Sequence, residues 1–251
     1  MSNTILVTGA SRGLGKDIAL SLAAQGNDVI ITYHTQKEEA KLVASQITQL
    51  GQKALVLQLD VYNPHSLENF ADNIKTYLFQ NVSDGKLFGL VNNAGTGAYE
   101  PIADTEEVNL DKLYNMHFKS PFLLAKELHG IIRGGGSIIN VSSGYSRFSA
   151  VGFSAYGAMK SAIDTLTRYQ ALEFAPLKIR VNSIAPGAIE TDFAGGIVRD
   201  NAEINNYVAS ATALARTGQP DDIGSVVAFM ISDAAKWING QRIEVSGGIY
   251  L

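Results

Sequence analysis

The sequence predicts an α/β fold: a single domain over residues 1–251, built on one doubly wound parallel sheet of about seven strands with helices on both faces. Three observations carry this. Short apolar runs alternate with longer amphipathic ones along the chain. The short runs are β-branched and apolar at successive positions, as strands buried on both faces must be. The first of them ends in a glycine-rich turn that opens a helical pattern, the start of a βαβ unit.

In chain order, the first strand is expected at 3–8 and the helix after its turn at 14–25. A second strand at 28–32 leads to a helix at 36–50, and a third at 53–58 to a helix at 65–80. The fourth strand, 87–91, precedes a long helical pattern at 106–131. The fifth, 136–141, is followed by a helix at 154–175, and the sixth strand is expected at 178–184. Residues 187–219 break the rhythm with Gly195-Gly196 and weakly periodic helix, so 187–215 is expected to be a flexible lid. A helix at 220–232 and a strand at 241–245 complete the pattern. The short connections leave no room for an interdomain linker.

Composition excludes several function classes. A formal net charge of −4 provides no basic footprint for nucleic acid or an anionic membrane. No apolar stretch is long enough to span a bilayer, and the N-terminal run is too short for a signal peptide. The chain has no cysteine, which removes disulfides, thiolate catalysis and Cys-based zinc sites and is compatible with a cytoplasmic location. His34, His65, His117 and His129 are scattered without ligand spacing, so no metal is expected.

Three segments carry chemistry. Tyr156 and Lys160 share one helix face, where an ammonium one turn away would favour the phenolate and lower a phenol pKa that is ordinarily about 10. The pair could exchange a proton with an alcohol or ketone oxygen, and Ser143, ending the strand-like run from Ser137, could hold the same oxygen. In the turn Gly9-Ala10-Ser11-Arg12-Gly13-Leu14-Gly15, glycines let the backbone approach a pyrophosphate and the helix start offers N–H donors. After the second strand no carboxylate stands where a ribose 2′-hydroxyl is usually held; Arg12, helped by His34 or Lys37, could instead face a 2′-phosphate. This favours NADP(H) over NAD(H); the alternative is a solvated Arg12 with the 2′-hydroxyl held by backbone.

Taken together, these residues resemble the short-chain dehydrogenase/reductase family over nearly the whole chain, which implies a Rossmann-type fold. The match covers Thr8, Gly9, Gly13 and Gly15 in the first turn, Asp60-Val61 after the third strand, Asn92-Asn93-Ala94-Gly95 after the fourth, Ser143, Tyr156 and Lys160, then Asn182 with Pro186-Gly187, and the tail from Gly240 to Gly248. The resemblance implies that Asn93, Ala94 and Gly95 line the adenosine, that Asp60 and Val61 contact the adenine, that Lys160 binds the nicotinamide ribose, and that Ile189 and Thr191 hold the carboxamide. It implies reduction of a ketone, with Tyr156 as proton donor, or the reverse oxidation of an alcohol.

One departure stands out. His117 falls where the family usually has an asparagine that helps hold a lysine-linked water. A histidine there could keep the backbone role and add a group titrating near pH 6.5, or be a tolerated polar substitution. The nearest subgroup is that of 3-oxoacyl-carrier-protein reductases and related ketoreductases, which makes an acyl carrier protein a possible partner. Against it, Arg168 is the only basic residue of 163–175, and Leu172-Glu173 stand where an arginine is common. Family members pair long helices matching 106–131 and 154–175 in a homotetramer. A non-catalytic nucleotide sensor is the competing class, and it commonly lacks the Tyr or the Lys.

Overall fold

The computed structural model describes residues 2–251. Seven strands form one all-parallel sheet in the order β3-β2-β1-β4-β5-β6-β7. They are β1 (Thr4–Val7), β2 (Asp28–Tyr33), β3 (Ala54–Gln58), β4 (Leu87–Asn92), β5 (Ile132–Val141), β6 (Arg180–Pro186) and β7 (Arg242–Val245). Every expected strand is present, and β5 begins four residues before its expected start.

Alternate residues of β1 point to opposite faces, so one strand feeds two cores. Ile5 and Val7 pack with Ile18 and Leu22 of α1 (Gly13–Ala24), Val43 and Ile47 of α2 (Lys37–Gln49), and Val227 and Ile231 of α9 (Pro220–Ile231). Leu6 faces the other way, among Phe70 and Ile74 of α3 (Leu67–Asn81), Leu124 of α5 (Ser120–Leu128) and Ala171 of α6 (Ser154–Glu173). Burial of each such side chain contributes roughly 1.5–3 kcal/mol, which is why the strands read as continuous apolar runs.

The helical pattern expected at 106–131 is interrupted. It comprises α4 (Glu107–Tyr114), a π-helical turn (Asn115–Lys119) and α5. The π-turn carries His117, and such turns frequently sit at functional sites. The segment after β6 holds a short 3₁₀ turn at Phe193–Gly196, then α7 (Ile197–Asp200) and α8 (Ala202–Ala211). Among the described residues no helix is long and apolar enough to cross a membrane.

The chain order reverses between β1 and β4, whose C-terminal ends lie side by side. In an open α/β sheet that crevice is where ligands bind.

Candidate active site

Both halves of the crevice open at the carboxyl ends of the strands. At the end of β1 the chain turns through Gly9 and enters α1 at Gly13, with Arg12 at the N-cap and no side chain capping the first turn. Thr8 ties this turn to the segment after β4: its hydroxyl accepts from the backbone N–H groups of Asn93 and Ala94, both at 3.0 Å. The Asn93 amide donates to the carbonyls of Thr8 at 2.8 Å and Gly9 at 3.2 Å. Its side chain is therefore engaged in bracing the turn. A Cβ on Gly9 would stand 2.8 Å from Ala94 Cα, and one on Gly15 would run into the Gly9 carbonyl. Only glycine permits this close approach, and the resulting cradle of uncapped N–H groups fits a pyrophosphate.

The remaining nucleotide candidates surround the cradle. Ser11 is buried and Leu14 packs on the α1 core. His34, at the end of β2, lies 3.6 Å from the Asp60 carboxylate. Asp60 also accepts from the Tyr62 N–H at 2.9 Å, and the carbonyl of buried Val61 accepts from Ser120. Arg12 points along the surface to Asp192, at 3.3 Å. Pro186 ends β6, Gly187 follows it against Ser246, and Ile189 bridges to Gly218. The Thr191 side chain packs beside Gly13, which brings the segment after β6 to the glycine turn.

Ser143, Tyr156, Lys160 and His117 converge beyond β4 and β5. Ser143 lies two residues past β5 and accepts from the Tyr145 N–H at 3.3 Å. Tyr156 and Lys160 occupy the first two turns of α6, both buried. The Lys160 ammonium donates to the Val141 carbonyl at 2.7 Å and lies 5.6 Å from the centre of the Tyr156 ring. Burial lowers its pKa to about 8, against the opposing pull of Asp164 one turn on.

Burial raises the Tyr156 pKa above its ordinary value, and a hydrogen bond with the Ser143 hydroxyl works in the opposite direction. This corrects the expectation that Lys160 depresses the Tyr156 pKa: desolvation of the phenolate outweighs an ammonium that spends its short hydrogen bond on a carbonyl. The phenol is fully protonated at neutral pH, the form a proton donor requires.

The surroundings of His117 favour the second of its two expected readings, a polar substitution that does not titrate near neutrality. Its Nε2–H donates to the Thr96 carbonyl at 2.8 Å, its Nδ1 is buried without a partner, and its ring meets Tyr156 edge-on at 5.1 Å. Burial, reinforced by the Lys160 charge, holds its pKa well below 6.5. It is a neutral imidazole at physiological pH and does not titrate there.

One group of residues was missed. Arg242 of β7 donates to Asp164 at 3.1 Å, to the Ser146 hydroxyl at 3.1 Å and to the Ser143 carbonyl at 3.1 Å. Asp164 also accepts from Ser183 of β6 at 2.8 Å. The only local signal was Asp164 lying one turn after Lys160; nothing near Arg242 announces its partners.

A family model described as Enoyl-(Acyl carrier protein) reductase matches residues 9–250. The chain is 33% identical over 255 residues to versicolorin reductase stcU of Emericella nidulans, covering 98% of this chain and 94% of that one. Among solved structures it is similar to the promiscuous reductase LugOII, which catalyses keto-reduction at C1 during lugdunomycin biosynthesis. The TM-score is 0.93 at 33% identity, over 99% of this chain and 98% of that one. It is also similar to the angucycline C-6 ketoreductase LanV with bound NADP, with a TM-score of 0.92 at 30% identity, over 98% of this chain and 95% of that one. The chain belongs to the short-chain dehydrogenase/reductase family.

Proposed function

We propose that this protein is an NADP(H)-dependent ketoreductase that reduces a ketone to a secondary alcohol, with Tyr156 as the proton donor. The observation that carries the reading is the convergence of a protonated, buried Tyr156 with Ser143 and Lys160 at the strand ends, beside a glycine cradle that fits a pyrophosphate. NADP bound to the relative LanV supports the cofactor, and the uncapped start of α1 with Arg12 beside it supplies donors for its phosphates.

When bound, NADPH supplies the hydride. The residues of the chain do the rest. Ser143 and Tyr156 hold the carbonyl oxygen by hydrogen bonds. As charge grows on that oxygen these donors strengthen, which lowers the barrier. Tyr156 gives up its proton, and the charged form of Lys160 steadies the phenolate left behind. Carbon gains the hydride, the C=O π pair moves to oxygen, and the oxygen takes the Tyr156 proton. His117 acts by position: fixed to Thr96, it seats the Tyr156 ring.

Residues 187–215 act as the lid of a single-domain enzyme. The acyl-carrier partner finds little support, because Arg168 is turned back to the Asp164 carbonyl and Thr165. For assembly we extend the reading to a homotetramer. A groove of about 860 Å³ lies between α5 and α6, flanked by the exposed apolar side chains Phe122 and Tyr169, and Leu172 is exposed further along α6.

Tyr156→Phe, assayed for reductase turnover with NADPH binding measured separately, tests the mechanism. Turnover is expected to fall by about 10²–10⁴-fold while NADPH binding survives. Unchanged turnover would overturn it.

A further inference from the structure

We propose that Tyr250, in the segment after β7, is a positioning residue: it clasps the lid helix α8 to the loop that carries Ser143, and so sets the mouth through which the ketone reaches Tyr156. The proposal rests on the ketoreductase reading above.

Past β7 the chain doubles back along the end of α8. Gly247 and Gly248 turn it, with left-handed φ of 62° and 81°. Their carbonyls accept from the N–H groups of Leu214 at 3.1 Å and Ala213 at 3.3 Å. The Tyr250 N–H donates to the Ala211 carbonyl at 3.2 Å, and Thr212 pairs antiparallel with buried Ile249. The end of α8 is thereby stitched to the segment after β7.

Tyr250 faces both ways. On one side its hydroxyl lies 3.4 Å from that of Tyr207, on α8. On the other its ring meets Phe148 edge-on at 4.8 Å. Phe148 packs on Gly144, the residue after Ser143, where a Cβ would stand 2.7 Å from its ring. Arg147 adds a second tie: it donates to the Ile249 carbonyl at 3.5 Å and pairs with Glu244 of β7 at 3.2 Å. Tyr250 has a φ of 53°, a left-handed backbone that a residue with a side chain keeps only where its surroundings fix it.

The rest of the lid follows α8. Asn205 donates to Glu190 at 2.6 Å and to the Val198 carbonyl at 2.9 Å, which joins α8 to the stretch that carries Phe193. Phe193 stands 5.9 Å from the Tyr156 ring, so the tilt of α8 decides how open the site is. Packing at the root of the lid does not fix that tilt. A cavity of about 150 Å³ lies there, lined by Gly187, Ile189, Leu214, Gly218 and Gly247. Groups around such a void lack partner atoms on one side. The lid is held instead by two backbone bridges, Ile189 with Gly218 and Thr212 with Ile249, and by Tyr250.

Hydrogen exchange and steady-state kinetics on the parent, Tyr250→Ala and Tyr250→Phe test this. The ketones are ethyl acetoacetate, 2-decalone and acetoacetyl-N-acetylcysteamine, each with NADPH. In Tyr250→Ala the α8 amides are expected to exchange about tenfold faster or more, with the sheet unchanged. KM for the ketone should rise about tenfold at nearly constant kcat, the mark of lost ground-state binding. NADPH binding, measured separately, should not move. Tyr250→Phe keeps the ring on Phe148 and should restore most of both effects. Unchanged α8 exchange, exchange that rises equally across the sheet, or an unchanged KM overturns the proposal. If the parent reduces none of the ketones, the ketoreductase reading fails. Exchange alone then decides the clasp: a rise confined to α8 upholds it, and any other pattern overturns it.

Discussion

The guanidinium of Arg242 donates a 3.1 Å hydrogen bond to the backbone carbonyl of Ser143, so the last strand of the sheet holds the serine that faces Tyr156. The same guanidinium pairs with Asp164, a buried carboxylate that also raises the Lys160 pKa. Arg242→Met strips a charge from Asp164 and a donor from Ser143. Loss of one partner of such a pair is expected to cost about 2–4 kcal/mol of stability. kcat should drop with little change in KM for NADPH. Arg242→Lys should rescue poorly, because one ammonium cannot reproduce the planar fork. Asp164→Asn has a sharper readout. Without the carboxylate, Lys160 loses its proton at lower pH, so the alkaline limb of the pH–rate profile moves below about 8.

Lys160 carries a stability cost that pH should reveal. Its folded pKa is about 8 against an ordinary 10.5. Below pH 8 both folded and unfolded chains hold the proton, and the cost is fully present at about 3 kcal/mol. Between 8 and 10.5 the folded state sheds it first, so the cost fades as pH rises. Lys160→Met abolishes turnover and removes that cost, less about 1 kcal/mol for the lost bond to the Val141 carbonyl. The variant should melt at a higher temperature than the parent at pH 7, with the difference shrinking toward pH 10. A variant less stable at pH 7 contradicts the assignment.

Gly95 and His117 form a testable pair. A Cβ on Gly95 would stand 2.7 Å from the His117 ring. Gly95→Ala should therefore destabilise by about 1–3 kcal/mol, and adding His117→Ala should recover part of that loss in a double-mutant cycle. His117→Asn alone should leave the pH–rate profile near neutrality unchanged, because the imidazole is already neutral there. A profile that loses an inflection near pH 6.5 would restore the titrating role.

The assembly reading makes its own demand. Tyr169 and Leu172 project from α6 beside the α5–α6 groove, where stable contacts bury about 800 Å² per partner. Tyr169→Glu with Leu172→Glu should lower the mass in light scattering from tetramer to a smaller species. An unchanged mass removes this face from the interface.

What was legible in the sequence is what local pattern records. The strands were legible because burial on both faces leaves continuous apolar runs, as in β1 with Ile5 and Val7 on one side and Leu6 on the other. Tyr156 and Lys160 were legible because helical spacing alone places them on one face. The π-turn at Asn115–Lys119 was not, since its shifted backbone bonding leaves no side-chain period. Arg242 was hidden because its partners Asp164 and Ser143 join it only through the pairing of β5, β6 and β7. The choice between the two readings of His117 was not legible, because burial is a property of the fold and burial sets its charge.

Cofactor choice turns on whether Arg12 exchanges partners. Its bond to Asp192 joins two exposed side chains, and Asp192 keeps Arg199 as a second cation. An exposed pair of this kind is worth at most about 1 kcal/mol. A guanidinium bonded to a phosphate gains about 1.5–3 kcal/mol, so a 2′-phosphate near Arg12 should draw it from Asp192 at little cost. Arg12→Ala is then expected to raise KM for NADPH by roughly 10–100-fold and to leave NADH almost unchanged, with Arg12→Lys between them. Asp192→Asn should lower KM for NADPH slightly, since the competing carboxylate is gone. Parallel titrations of both cofactors check this, and a parent protein that prefers NADH would overturn the role of Arg12 and the NADP(H) reading together.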